Sequence, residues 1–155
     1  MISGVASQSI SDVFSTTYDN YRIVLSDLTA GTGTPDLNFR FRVSGADNTT
    51  SNYNNQKFYI FSSSGLETAT AQTAFSLTTF SEVGNMSLDI INPFATKKTA
   101  MTGLVNVYQA NVGVVTYVTR FVGCDFDATT SFTGFTLYPT ASTITGTVSV
   151  YGYNK

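Results

Sequence analysis

Histidine and tryptophan are absent from this 155-residue chain, cysteine occurs once, proline three times, and charged residues make up only 12% of it. Each shortage excludes something. Without histidine, the commonest general base, the histidine-dependent triads and most transition-metal sites are gone. A single cysteine, Cys124, rules out an intrachain disulfide, and its neighbours Val122 and Gly123 place it at a strand end as a buried, inert thiol. The eight basic residues are scattered at a net charge of -2, so no stripe exists to neutralise a phosphate backbone, and nucleic acid is not an expected partner. No run approaches the roughly 18–20 apolar residues that span a bilayer, and no basic region precedes an apolar run at the N-terminus. Neither a membrane nor a secretion signal is expected, and no cofactor.

What is present points to β structure. Hydrophobic residues reach 42%, with nine Tyr and twelve Phe, while the usual helix formers are scarce. Residues 36–43, DLNFRFRV, set Leu37, Phe39, Phe41 and Val43 against Asn38, Arg40 and Arg42. The same period of two recurs in NMSLDI, and in Ile144, Val148 and Val150 against Thr145, Thr147 and Ser149. Stretches rich in Gly, Ser, Asn and Thr divide the chain into strands near 8–14, 20–28, 36–43, 55–62, 73–80, 84–92, 101–109, 114–123, 132–138 and 143–152. All three prolines fall between them. This predicts an all-β fold, an antiparallel β-sandwich of jelly-roll-like type, as one domain over residues 1–155.

Three strands break the alternation. Val24 opposes Ile23 and Leu25; Val105 and Val107 oppose Leu104 and Tyr108; Val118 and Val122 oppose Tyr117 and Phe121. Both faces of these strands need cover, from a loop or bulge or from a second subunit. Val24, Val105 and Val107 are accordingly candidate interface residues. Residues 1–6 are a candidate docking arm, with Ile2 and Val5 as its contacts, because the segment is too sparse in apolar residues to make its own core and carries no side-chain charge. Residues 7–11 read instead as a strand of the protein's own sheet.

Candidate chemistry is thin. Asp125 and Asp127 form the only close carboxylate pair; they either close a turn or bind a cation with loop carbonyls, and the remainder of a calcium loop is missing. The glycines lack the residues that make a phosphate loop. Tyr53, Tyr138, Tyr151 and Tyr153 fall on loops or polar faces, where they would line a sugar-binding surface, a subunit contact or an ordinary solvated edge.

The stretches VFSTTYDNYRIVLSD, NFRFRVSGAD, SNY and FTGFTLYPTASTITGTVSVYGYNK resemble a family of β-rich structural proteins and tail-fibre-terminal domains of tailed bacteriophages, particularly phages of aquatic bacteria. The resemblance implies a virion structural protein and no enzyme, made in the host cytoplasm and carried on the virion surface. Its implied partners are further copies of itself, as a homotrimer, and capsid or tail proteins. Tail fibres usually carry a long attachment region before such a domain, whereas here the first strand is expected within about ten residues of Met1. That favours a head decoration, cement or knob protein. The alternative is a tail-fibre or receptor-binding tip that recognises a host glycan.

Overall fold

Period-two runs become strands where the sequence places them, and two sheets result. The computed structural model describes residues 1–60, 64–111 and 114–154. In chain order the strands are β1 (Ile2–Val5), β2 (Gln8–Ile10), β3 (Asn20–Ala30), β4 (Asp36–Val43), β5 (Ala46–Asp47), β6 (Tyr53–Ile60), β7 (Ser64–Gln72), β8 (Phe75–Thr79), β9 (Gly84–Ile91), β10 (Thr99–Asn111), β11 (Val114–Phe126), β12 (Gly134–Pro139) and β13 (Ile144–Tyr153). Eight of them make a large sheet in the order β1-β13-β3-β9-β10-β11-β6-β7. The small sheet runs β2-β12-β4-β5, and β8 also pairs with β4. Every pairing is antiparallel, so the all-β antiparallel expectation holds. The division between the sheets is uneven, whereas the simplest jelly roll has eight strands in all.

The inner faces meet in one contiguous core. Leu37, Phe39 and Phe41 of β4 point into it by simple alternation, beside Phe135 and Leu137 of β12. Phe41 is its hub: its ring lies 4.3 Å from Phe132, 5.1 Å from Phe39 and 5.7 Å from Phe75, and reaches Phe126 of the large sheet at 6.2 Å. Aromatic centroids at these separations, many of them edge to face, add to the area burial. At the SGAD motif, Ser44 and Gly45 both adopt positive φ and join β4 to β5 through a two-residue turn, the backbone that a tight hairpin of this twist requires.

The N-terminus corrects an expectation. Residues 1–6 are not free for a partner: β1 pairs with β13, Ile2 opposite Gly146, and Ile2 is buried in the core while Val5 packs half-buried against it. The physical reason is the open edge of β13, which needs a ladder partner and leaves space over its inner face for one large side chain. Deleting residues 1–6 is therefore expected to lower the thermal midpoint by several degrees, since burying an Ile contributes about 1.5–3 kcal/mol. A melting curve checks this; an unchanged midpoint would show that β1 contributes no stability. Residues 8–10 pair with β12 in the small sheet, as expected.

Val105 and Val107 are corrected too. Both are buried on the inner face of β10, so neither is available to a second subunit. Leu104 and Tyr108 occupy the outward positions instead.

Candidate interaction surface

The two outer faces of the sandwich differ sharply. On the small sheet, Arg40 and Arg42 lie across the outward side and are held by neighbours, although the Arg42 Nε is buried without a hydrogen-bond partner. The Arg42 guanidinium donates to Asp47 at 2.5 Å, to Ser9 at 2.8 Å, to Thr136 at 2.9 Å and to the Gly45 carbonyl. Arg40 donates to the Thr73 carbonyl at 2.9 Å and stacks over the Tyr138 ring at 4.7 Å. Tyr138 is thus half-covered by a cation, with its hydroxyl pushed up by burial. This face closes itself.

The large sheet does the opposite. Strand register lines up Ser149, Val24, Ser87, Leu104, Phe121, Phe58 and Leu66 across seven neighbouring strands from β13 to β7. On β3, β9, β10 and β11 they project outward because the alternate positions fill the core, and register carries the row on to the edge strand β7. Leu66 is 72% exposed, Phe121 51% and Phe58 42%, and the Phe58 and Phe121 rings lie 6.5 Å apart. Val24 is half-buried at one end, in a shallow groove of about 250 Å³ shared with Ser26, Ser87 and Leu104. A second groove of about 400 Å³ adjoins it through Asn85 and Asn106 and is walled by Val83, Tyr108 and Tyr117, with the exposed Glu82 at its margin. Tyr117 is 79% exposed and meets Tyr108 edge to face at 5.0 Å. Val24, Leu104, Phe121, Phe58 and Leu66 thus form an outward apolar row interrupted by Ser87, in contrast to hydrophobic residues scattered singly over a surface.

Charge is nearly missing from this surface. In the apolar row and the row on either side, the charged side chains among the described residues are Arg22 and Asp89, which pair through two hydrogen bonds at 2.9 and 2.8 Å. That bond to Arg22 holds the Asp89 carboxyl below its ordinary value, and Tyr153 adds a donor at 3.3 Å. A depressed carboxylate stabilises the fold above the unfolded value near pH 4, and that contribution is lost as pH falls through the lower folded value. Asp89→Asn is therefore expected to flatten the drop in thermal midpoint below about pH 4, measured against wild type; an equal acid drop in both would rule the pair out as its source.

The other candidates disperse. Tyr53 is buried, not ligand-facing: β6 starts at Tyr53 itself, which turns the ring into the core. Its hydroxyl accepts from the Phe41 amide at 3.1 Å and donates to the Asn48 carbonyl at 2.8 Å, and burial raises its pKa far above the ordinary phenol value. Tyr151 and Tyr153 do face outward, flanking Arg22 around a groove of about 390 Å³. Asp125 accepts from Asn54 at 3.0 Å and Asp127 pairs with Lys98, so each carboxylate already has a protein donor. The Cys124 thiol is buried and pushed up to about 12, consistent with an inert core residue.

A polar cleft of about 710 Å³ lies beside β7, lined by Asp36, Lys57, Glu67, Ser76 and Thr79 among others. Its ionic groups are satisfied internally: Lys57 pairs with Glu67 at 2.8 Å, and Asp36 accepts from Thr79 at 2.6 Å. Comparison with known proteins finds no family model, no curated protein and no solved structure that matches this chain. The geometry of the molecule therefore carries the functional reading together with the sequence resemblance.

Sequence reasoning missed Leu104, Phe121, Phe58, Leu66 and Tyr117 as surface residues. A signal existed for three of them, because Leu104, Tyr117 and Phe121 are the residues that break alternation in β10 and β11. Phe58 and Leu66 gave none. On β6 the inward positions are Tyr53, Asn55 and Lys57, so polarity is inverted there and the hydrophobic side chains look outward.

Proposed function

We propose that this protein is a structural subunit of a bacteriophage virion, a head decoration, cement or knob protein that works through surface contact and performs no reaction. The observation that carries the reading is the uncharged apolar row across the outer face of the large sheet, a surface that costs solubility unless something covers it. The resemblance to phage structural proteins supports the same assignment. So does the rest of the molecule: a β-sandwich whose conspicuous ionic groups are tied to one another offers rigidity and few groups that titrate near neutral pH.

The test is to image particles of the encoding phage bearing a label on this chain. Label over the head shell is the expected result. Label at the tail tip would move the assignment to the fibre, and particles without label would overturn it. One observation favours the fibre as a second reading: Tyr151 and Tyr153 stand beside the Arg22–Asp89 pair on an open groove, a combination of aromatic faces and paired hydrogen-bonding groups that suits a sugar. Binding of a host-surface glycan that is lost in Tyr151→Ala would support that reading.

A further inference from the structure

We propose that the outer face of the large sheet docks face to face on the same face of a second copy of this chain, bringing the Val24–Leu104–Phe121–Phe58–Leu66 row of one copy against that of the other. The inference rests on reading this face as an assembly surface and names its occupant. Three features of the face select a second copy over a dissimilar partner.

The first is charge. A closed pair brings a surface against itself, so every unpaired charge near the symmetry axis meets its own like, at a cost of several kcal/mol for close juxtapositions. Near its centre this face avoids the problem: Arg22 and Asp89 neutralise each other on one copy, Glu82 stands at the margin beside Tyr108, and the other outward polar groups in the rows next to the apolar one, among the described residues, are chiefly Ser, Thr, Asn and Gln side chains that both donate and accept. Amides and hydroxyls can pair with their own copies, whereas a partner chosen by charge would leave a matching charged patch here.

The second is size. Seven strands about 4.8 Å apart span roughly 29 Å, and the outward positions from Tyr117 to Gly123 cover roughly 20 Å along the strand, a footprint of roughly 600 Å² before the relief of side chains is counted. A standard interface buries about 800 Å² per partner. The face is thus of the size that a stable pair needs, with Leu104 at the centre of the row and Phe121 and Phe58 beside it.

The third is shape. The row follows strand register without a break from β13 to β7, so a two-fold axis lying in the contact, either along the row or across it, brings row onto row. Leu104 is the middle of the row and Phe121 adjoins it, close to where truncation costs most.

The test measures the mass of the full chain by light scattering at micromolar concentration, alone and with Phe121→Asp or Phe121→Ser. Neither variant touches the core, and near-ultraviolet circular dichroism with a melting curve confirms that each is folded. The expected result is a pair for wild type and a monomer for both variants, a loss of affinity of at least about 100-fold for the Asp variant. Tyr18→Asp, at an exposed position away from the row, is expected to leave the pair intact. A monomeric wild type overturns the pairing, as does a pair unaffected by Phe121→Asp. A threefold mass overturns it too, because a three-fold axis cannot set this row against itself. Binding of the same samples to particles lacking the protein separates the two claims: a monomer that still binds sinks the pairing and leaves the virion assignment standing, and a pair that never binds does the reverse.

Discussion

Phe41→Ala is expected to destabilise the fold by about 3–5 kcal/mol, the usual cost of truncating a fully buried Phe to Ala. The ring sits where the sheets meet, stacked on Phe132 from one side and touched at the edge by Phe39, Phe75 and Phe126 from both sheets. Its neighbours are held by strand pairing and cannot close the space left behind, so the cavity penalty adds to the lost transfer energy. In a domain whose total stability is of the order of 5–15 kcal/mol, this is a large fraction. Denaturant titration of wild type and variant checks it; a loss below about 1 kcal/mol would mean that this core is loosely packed.

The second large effect is expected at Gly103. A Cβ added there would lie 2.4 Å from the Ser87 carbonyl oxygen and 2.7 Å from Leu88 Cδ2. Gly103 is on β10, opposite Leu88 of β9 in the interior of the large sheet, so the obstruction is backbone held by ladders on both sides. Gly103→Ala must therefore part β9 from β10 locally, at a cost of about 1–3 kcal/mol or more. Gly123→Ala is the control. It is outward on the adjacent strand, its added Cβ meets only the Gln56 carbonyl oxygen at 3.9 Å, and its effect is expected to stay within about 1 kcal/mol. Equal melting points for the two variants would contradict the steric account.

The strands with one wet face were the legible part of this fold. In β4, β9 and β13 the alternation of apolar and polar residues marked both the strand and its inward side, and in β4 even its limits. Three strands escaped, of which β5 is only the two residues Ala46–Asp47. β1 carries only Ile2 and Val5 among small and polar residues, and what orders it is the open edge of β13, a property of the assembled sheet. β7, with the sequence SGLETATAQ, has a single large apolar residue, Leu66, and that residue points outward. An edge strand that buries almost nothing leaves no hydrophobic period to read.

The outward apolar row was legible as a feature and not as a set of residues. Alternation failed in β3, β10 and β11, which marked strands with apolar side chains on two faces. Which face is outer depends on where the second sheet lies, and that is a tertiary fact. On β10 either face could have been the outer one, and Val105 and Val107 face the small sheet while Leu104 and Tyr108 are left outside. On β6 the inversion is stronger, because Lys57 reaches inward to Glu67 and Ser76 and displaces Phe58 to the surface. Such a swap is tolerated because the inward cation is paired, which only the fold reveals.

The most direct measurement of the central claim, that the outer face of the large sheet is the assembly surface, is oxidative footprinting of side chains in the assembled particle and in the isolated chain at high dilution. Phe58, Phe121 and Tyr117 are all exposed in the single chain, as is Tyr18 outside the row. In the assembled form the three are expected to lose most of their labelling while Tyr18 keeps its own. Unchanged labelling of Phe58 and Phe121, with protection of Tyr18 or of the Arg40–Tyr138 face, would contradict the account.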